Sequence, residues 1–199
     1  DIYSYNLDED SIHRITTDSH IQFNPAVSGE RIVWTDMRNG NMDIYLYDPV
    51  LGERAICTAA GDQDLAAIDG DISVWRDGRD GNWDIYMYDL STMQGSAVST
   101  RSSNQNWPDV SGGFVVYADD RNGNWDIYLH RIYDGKEYAL CTNSADQTFP
   151  VITGKSGSNL VIAYMDERNG KNIYVNYPFF AGGDEIYESI LRLDPYPII

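Results

Sequence analysis

The chain has 199 residues, 42% hydrophobic and 23% charged, the make-up of an ordinary globular protein with enough length for a sizeable core. Its net charge of −17 would be repelled by a nucleic-acid backbone or an anionic membrane surface, which excludes both as partners. No run approaches the roughly 18 apolar residues of a membrane span, so membrane insertion is not expected.

The chain opens on Asp1-Ile2-Tyr3 and continues through Ser11–Thr17, two runs of strand length. A longer pattern begins at Gln22. A short segment (Pro25–Gly29) leads to an apolar run ending in an aromatic (Arg31–Trp34). A turn-rich stretch, Asp36-Met37-Arg38-Asn39-Gly40-Asn41, then precedes an alternating run, Asp43-Ile44-Tyr45, and a fourth run, Glu53–Thr58. The same words return, with leading aromatics at 34, 75, 117 and 164, so the steps are 41, 42 and 47 residues. A period in this range signals a solenoid, a propeller or an array.

An Asn-Gly pair between two β-type runs predicts a hairpin, here with a type I′ turn and φ > 0 at both central residues. Fifteen tyrosines and five tryptophans suit pleated surfaces, and no unit has a helical period. Each unit therefore reads as a four-stranded antiparallel meander, and the chain as an all-β propeller. Residues 1–199 form a single domain with blades at 22–62, 63–104, 105–146 and 147–193. Residues 1–21 match the last two strands of a unit, and 194–199, through Tyr196–Ile199, match a first strand. Together they make most of a fifth blade, which closes the ring and removes sheet edges. The fourth unit has five extra residues in its first hairpin, around Gly154–Ser158. A phosphate loop is excluded there, because Phe149 stands where glycine is required and no helix follows. The absence of an initiator Met and of a signal peptide reads as a mature form, or as an excised piece of a longer multidomain chain.

The repeated residues have an architectural reading and a chemical one. Asp36, Asp77, Asp119 and Asp166 each stand two positions before Arg38, Arg79, Arg121 and Arg168, a spacing at which an ion pair braces the hairpin. Asp43, Asp84 and Asp126 close the turn and can accept backbone N–H bonds. Oxygen-bearing residues at alternate positions around Gly123 also suit calcium, but the closing Glu of a hard-cation loop is missing, so no cofactor and no metal residue is expected. Cys57 and Cys141 occupy the same place in two repeats, too far apart to bridge, and read as unpaired thiols.

Gln22, Gln63, Gln105 and Gln147 precede each unit in what reads as an inter-blade loop. They either form a polar ring at the mouth of the channel or cap the loop backbone. Trp83 and Trp125, beside Asn82 and Asn124, are the ingredients of a sugar- or protein-binding surface, or else pack across the next blade. Catalysis would need residues that differ between copies. His13, His20 and His130 have no Ser or Cys partner suggested by spacing, and Asp109 replaces Ala26, Ala67 and Val151 without an identifiable partner. The sequence makes no positive case for an enzyme.

The units resemble the TolB-like, or WD40-like (PD40), propeller repeats, most closely at Asp77-Gly78-Arg79-Asp80-Gly81-Asn82 and Asp84–Leu90. The likeness covers nearly the whole chain and departs at the family's Ser-Pro-Asp-Gly turn, shortened here to Val27-Ser28-Gly29. Similar repeats serve as interaction modules in secreted and cell-surface proteins, and form the non-catalytic propellers of some peptidases. The resemblance implies an extracytoplasmic scaffold that binds a protein or glycan on the face bearing the Asn-Gly turns, and it transfers no catalytic residue. Two other readings are a carbohydrate-active enzyme with acidic residues at the channel mouth, and a purely structural surface-layer or adhesive domain.

Overall fold

A computed structural model describes residues 1–155 and 159–177, with the backbone of three short strands beyond them. The chain divides into two compact units, Asp1–Ala97 and Val98–Ile199. Among the described residues all regular structure is β, and no helix is long and apolar enough to cross a membrane.

The first unit begins with a two-stranded hairpin, β1 (Tyr3–Asn6) and β2 (Ser11–Arg14). A four-stranded antiparallel meander follows: β3 (Gln22–Ser28), β4 (Arg31–Asp36), β5 (Asp43–Asp48) and β6 (Gly52–Cys57). A second meander comprises β7 (Gln63–Asp69), β8 (Ile72–Asp77), β9 (Asp84–Asp89) and β10 (Gln94–Ser99), the last reaching the unit boundary. Their shared core is built from Val33, Ile44 and Leu46 of one sheet and Ile68 and Trp75 of the other. Because an inner strand is covered on both faces, β4 reads as a continuous apolar run rather than an alternating one.

The second unit repeats this plan with β11 (Gln105–Ser111), β12 (Phe114–Asp119), β13 (Asp126–Arg131) and β14 (Lys136–Cys141). Its other sheet contains β15 (Gln147–Thr153), β16 (Val161–Asp166) and β17 (Asn172–Asn176). A small hairpin, β18 (Phe179–Ala181) and β19 (Glu185–Tyr187), comes before β20 (Ile190–Arg192), which pairs with β17 as the fourth strand. Sequence reasoning placed the excess of this repeat in its first hairpin and did not foresee the second one. Residues 156–158 of that first hairpin, and the strand expected at Tyr196–Ile199, lie outside the described residues. Every residue of β12 is buried, and Val116, Leu129 and Ile127 pack with Ile152 and Ile162.

The Asn-Gly turn differs from expectation. Asp36 pairs directly with Asp43, so the connection has six residues, Met37–Met42, and not two. Within it Gly40 N donates to Met37 O at 3.2 Å, and Gly40, but not Asn39, has positive φ. The glycine thus occupies the last position of a β-turn, where it is favoured, and type I′ geometry is absent. The same bond closes the turns at Gly81, Gly123 and Gly170. Asparagine stays out of the left-handed region because its side chain has other work: Asn39 Nδ2 donates to Asp43 at 2.6 Å and to the Tyr45 hydroxyl at 3.1 Å.

A second departure lies in the first strand of each sheet. The four glutamines begin β3, β7, β11 and β15 instead of lying in loops, paired in register with Asp36, Asp77, Asp119 and Asp166. Each strand continues past its Pro or Ala because a bulge intervenes, for instance between Asn106 and Asp109. The bulge residues Asn24, Leu65, Trp107 and Phe149 all have φ between 49° and 53°, a left-handed conformation that costs a non-glycine residue about 1–2 kcal/mol.

Candidate functional site

The repeated Asp-x-Arg pairs build a corner at the turn end of each sheet. Asp36 is fully buried and accepts from Arg38 Nε at 2.9 Å, Arg38 Nη2 at 2.6 Å and the Trp34 indole at 3.0 Å. Arg38 also lies 4.1 Å over the Tyr45 ring, and its Nη1 reaches Glu53 at 2.6 Å. In the third and fourth sheets tyrosine replaces the tryptophan, and the lost indole donor is supplied from the preceding loop. Ser103 Oγ donates to Asp119 at 3.0 Å, and Asn143 Nδ2 to Asp166 at 3.1 Å.

Each of these aspartates faces a second carboxylate across the strand pair in three of the sheets: Asp36 with Asp43, Asp77 with Asp84, Asp119 with Asp126. In the first two of these pairs the environments pull in opposite directions. Burial alone would raise Asp36 and Asp77, but hydrogen bonds from the arginine and the indole hold them below the usual carboxylate range. Burial dominates at Asp43, Asp84 and Asp126 and raises them despite their Asn donors. Split carboxylate pairs are what an acid–base site requires. Here both members are at most 1% exposed in all three sheets, so no substrate reaches them and the pairs serve architecture. The donors to Asp43 and Asp126 are asparagine side chains rather than the backbone amides expected from the sequence. The side chains reach further into the six-residue loop than its N–H groups do.

Those asparagines also fasten the next loop. Asn124 Nδ2 lies 3.0 Å from Asp126 Oδ1, 2.9 Å from Asn143 O and 2.8 Å from Ala145 O. Asn41 makes the equivalent contacts in the first unit, and Asn82 donates to Asp84 at 2.8 Å. The glutamines are buried, with Nε2 donating to loop carbonyls: Gln22 to His20 at 2.7 Å, Gln63 to Gly61 at 3.1 Å, Gln105 to Ser103 at 2.9 Å and Gln147 to Ala145. Trp83 is half-buried, packed on Gly78 and under the Arg76 guanidinium, 4.0 Å from its ring centroid. Asp109 accepts Val110 N at 2.9 Å and Ile152 N at 2.8 Å, tying β11 to β15.

Trp125 has a different setting. Its ring meets Trp107 edge-on at 5.2 Å, and Trp107 packs on Phe149 at 4.4 Å. Phe149 is 53% exposed, while the two tryptophans are half-buried. Trp107 and Phe149 are bulge residues, so the aromatic cluster stands on two strained backbone positions at the turn end of the second unit. Sequence reasoning found Trp125 and missed its companions. The signal was there: two residues after each glutamine the copies read Asn24, Leu65, Trp107 and Phe149, four different residues in an otherwise repetitive pattern.

One constellation imitates a catalytic triad. His13 Nε2 lies 2.9 Å from Ser11 Oγ and 3.7 Å from Glu9 Oε2, a partnership that spacing had not suggested. In a working triad the carboxylate orients the other ring nitrogen. Here acid and hydroxyl share one nitrogen on an exposed hairpin, which leaves Nδ1 unoriented. Burial lowers the pKa of His130. The two cysteines are unpaired, and burial raises the Cys57 thiol.

The four-stranded antiparallel sheets, each braced at its turn, define the fold of a β-propeller. Solved structures that share this fold include proteins of the TolB type. A protein of Agrobacterium tumefaciens assigned as TolB superposes with TM-score 0.66 at 20% identity, covering 96% of this chain and 74% of that one. TolB from Acinetobacter baumannii superposes at 0.58 and 19% identity, again over 96% of this chain, which spans 56% of that protein's length. A puromycin-hydrolyzing peptidase of Mycobacterium tuberculosis matches at 0.64 and 10% identity, over 92% of this chain and 30% of its own. Neither a family model nor a curated protein sequence matches the chain.

Proposed function

We propose that this chain is a non-catalytic, extracytoplasmic propeller module that binds a protein or glycan partner on the end bearing the Asn-Gly turns. The closing blade of the ring, on this reading, is shared between the two termini. The observation that carries the binding role is the cluster of Trp107, Trp125 and Phe149. Phe149 is exposed and Trp107 and Trp125 are half-buried, so the cluster offers aromatic surface to solvent on the same bulge positions that carry Asn24 and Leu65 in the first unit. Aromatic anchors beside amide-rich turns suit both the face of a sugar ring and an apolar side chain of a protein.

The test is a glycan array and a photo-crosslinking partner screen, repeated with Phe149→Ala and Trp107→Ala. Each substitution is expected to weaken binding about 30-fold, the effect of losing a hot-spot aromatic of ~2 kcal/mol. Phe149 is exposed enough for its variant to stay folded, so unchanged binding in both variants sinks the assignment. The carboxylates at the turns already accept protein donors, including Asp120 from Asn104 N at 2.8 Å. Adding a chelator is therefore expected to leave Tm unchanged, and a fall in Tm would make the turns cation sites instead.

A further inference from the structure

The arginine corner is complete in the first and third sheets and incomplete in the second. Arg38 holds Asp36 and Glu53, the latter at 2.6 Å from Nη1. Arg121 holds Asp119 and Glu137, also at 2.6 Å from Nη1. Both glutamates come from the same place in the fourth strand, four residues before the Cys57 or Cys141 position. In the second sheet that place is Gly95. Arg79 keeps Asp77, at 2.9 Å from Nε and 2.5 Å from Nη2, and Nη2 also lies 3.2 Å from the Cys57 thiol. No second carboxylate meets it among the described residues.

The missing side chain leaves space. A cavity of 320 Å³ opens at this point, lined by Arg79, Gly95, Cys57, Thr58, Trp75 and Tyr86 among others. Arg79 is stacked 3.9 Å over the Tyr86 ring and clamped through Nε and Nη2, so its remaining edge, Nη1, is the one presented where the other corners hold glutamate. A fixed guanidinium edge at the end of an apolar and aromatic wall is suited to a planar, bidentate acceptor. Arg79 carries one carboxylate where Arg38 and Arg121 carry two, so a second anionic group restores the balance found in the first and third sheets.

We propose that this cavity is a binding site for a carboxylate, occupied as Glu53 and Glu137 occupy the sister corners, with Arg79 as the anion ligand. The carboxylate is either a free short-chain acid or the glutamate side chain of a partner, both of which present the same group on a short methylene arm. The site belongs to the first unit and does not use the aromatic cluster.

The test is an NMR titration of the intact chain, following the Gly95 amide, the Trp75 indole N–H and the Arg79 Nε–H signals. Propionate is expected to shift all three with millimolar affinity, while propionamide at the same concentration leaves them in place. Gly95→Glu should supply the group internally. A Cβ at this position meets nothing closer than Met87 O at 3.6 Å, and the residue needs no positive φ. This variant is expected to fold, to unfold at a higher temperature than the parent and to lose the propionate response at least 10-fold. A capped Gly-Glu-Gly peptide separates the sources: binding at least as tight as propionate assigns the site to a partner's glutamate, and weaker binding assigns it to a free acid. Equal shifts from propionamide, or an undiminished propionate response in Gly95→Glu, would overturn the proposal.

Discussion

Replacing Arg121 with alanine is expected to destabilise the second unit by about 3–5 kcal/mol, the cost of removing one partner from a buried charge network. Arg121 Nη2 meets Asp119 at 2.5 Å and Nη1 meets Glu137 at 2.6 Å, while the guanidinium covers the Tyr128 ring at 3.8 Å. Asp119 is fully buried, so its charge has no route to water once the arginine is gone. The Ser103 hydroxyl and the Arg121 backbone amide remain as donors, but neither carries charge. Urea unfolding should show a lower midpoint with an unchanged m-value. Arg121→Lys is expected to fall between the two proteins, because a single ammonium cannot span two carboxylates and also stack on the tyrosine. Arg79→Ala should cost less than Arg121→Ala, since Arg79 holds one carboxylate. A loss below about 1 kcal/mol for Arg121→Ala would class the corner with ordinary surface ion pairs.

This corner shows how far the sequence could be read. The Asp-x-Arg spacing places both side chains on one face wherever a strand enters a turn, so the pairing was legible from residues two apart. The four-stranded units were legible for a similar reason: a strand covered on both sides must be apolar throughout, as Phe114–Tyr117 is. What escaped were side-chain contacts and backbone irregularities that residue spacing does not encode. Asn39 and Asn122 look like left-handed turn residues, but their amides bind Asp43 and Asp126, and the loop lengthens to let them. Three of the four glutamines precede a proline and so look like loop residues, until the bulge lets the strand run through it. Trp107 and Phe149 were hidden for a related reason. Their own repeats gave them no pattern to match, and only the bulge brings rings 42 positions apart in the chain to 4.4 Å. Repetition in the sequence reveals what every sheet shares. The proposed binding residues lie where the backbone is shared and the side chain is not.

Acid should act on the third sheet through Glu137. Burial pushes its carboxyl upward, but hydrogen bonds from Arg121 and Tyr117, with the charges of Arg121 and Arg101, outweigh this and bring it to about 2 from its ordinary 4.5. A carboxyl whose folded pKa is depressed binds fewer protons in the native state than in the unfolded one across that interval. Its contribution to stability is therefore fully present above pH 4.5 and is lost as pH falls from there toward 2. The side chain is 22% exposed, and a shift of this size corresponds to a contribution on the order of 3 kcal/mol. Glu137→Gln keeps the shape and removes the titration, leaving Arg121 with one carboxylate, the state in which Arg79 stands naturally. Asp134, lowered by its hydrogen bond to Arg131, adds an acid slope common to both proteins, so the difference between them isolates Glu137. Urea midpoints measured from pH 6 down to pH 2 should fall more steeply for the parent than for Glu137→Gln, and the two curves should converge at the acid end. Parallel curves across the whole range would mean that Glu137 does not carry the acid sensitivity of this unit.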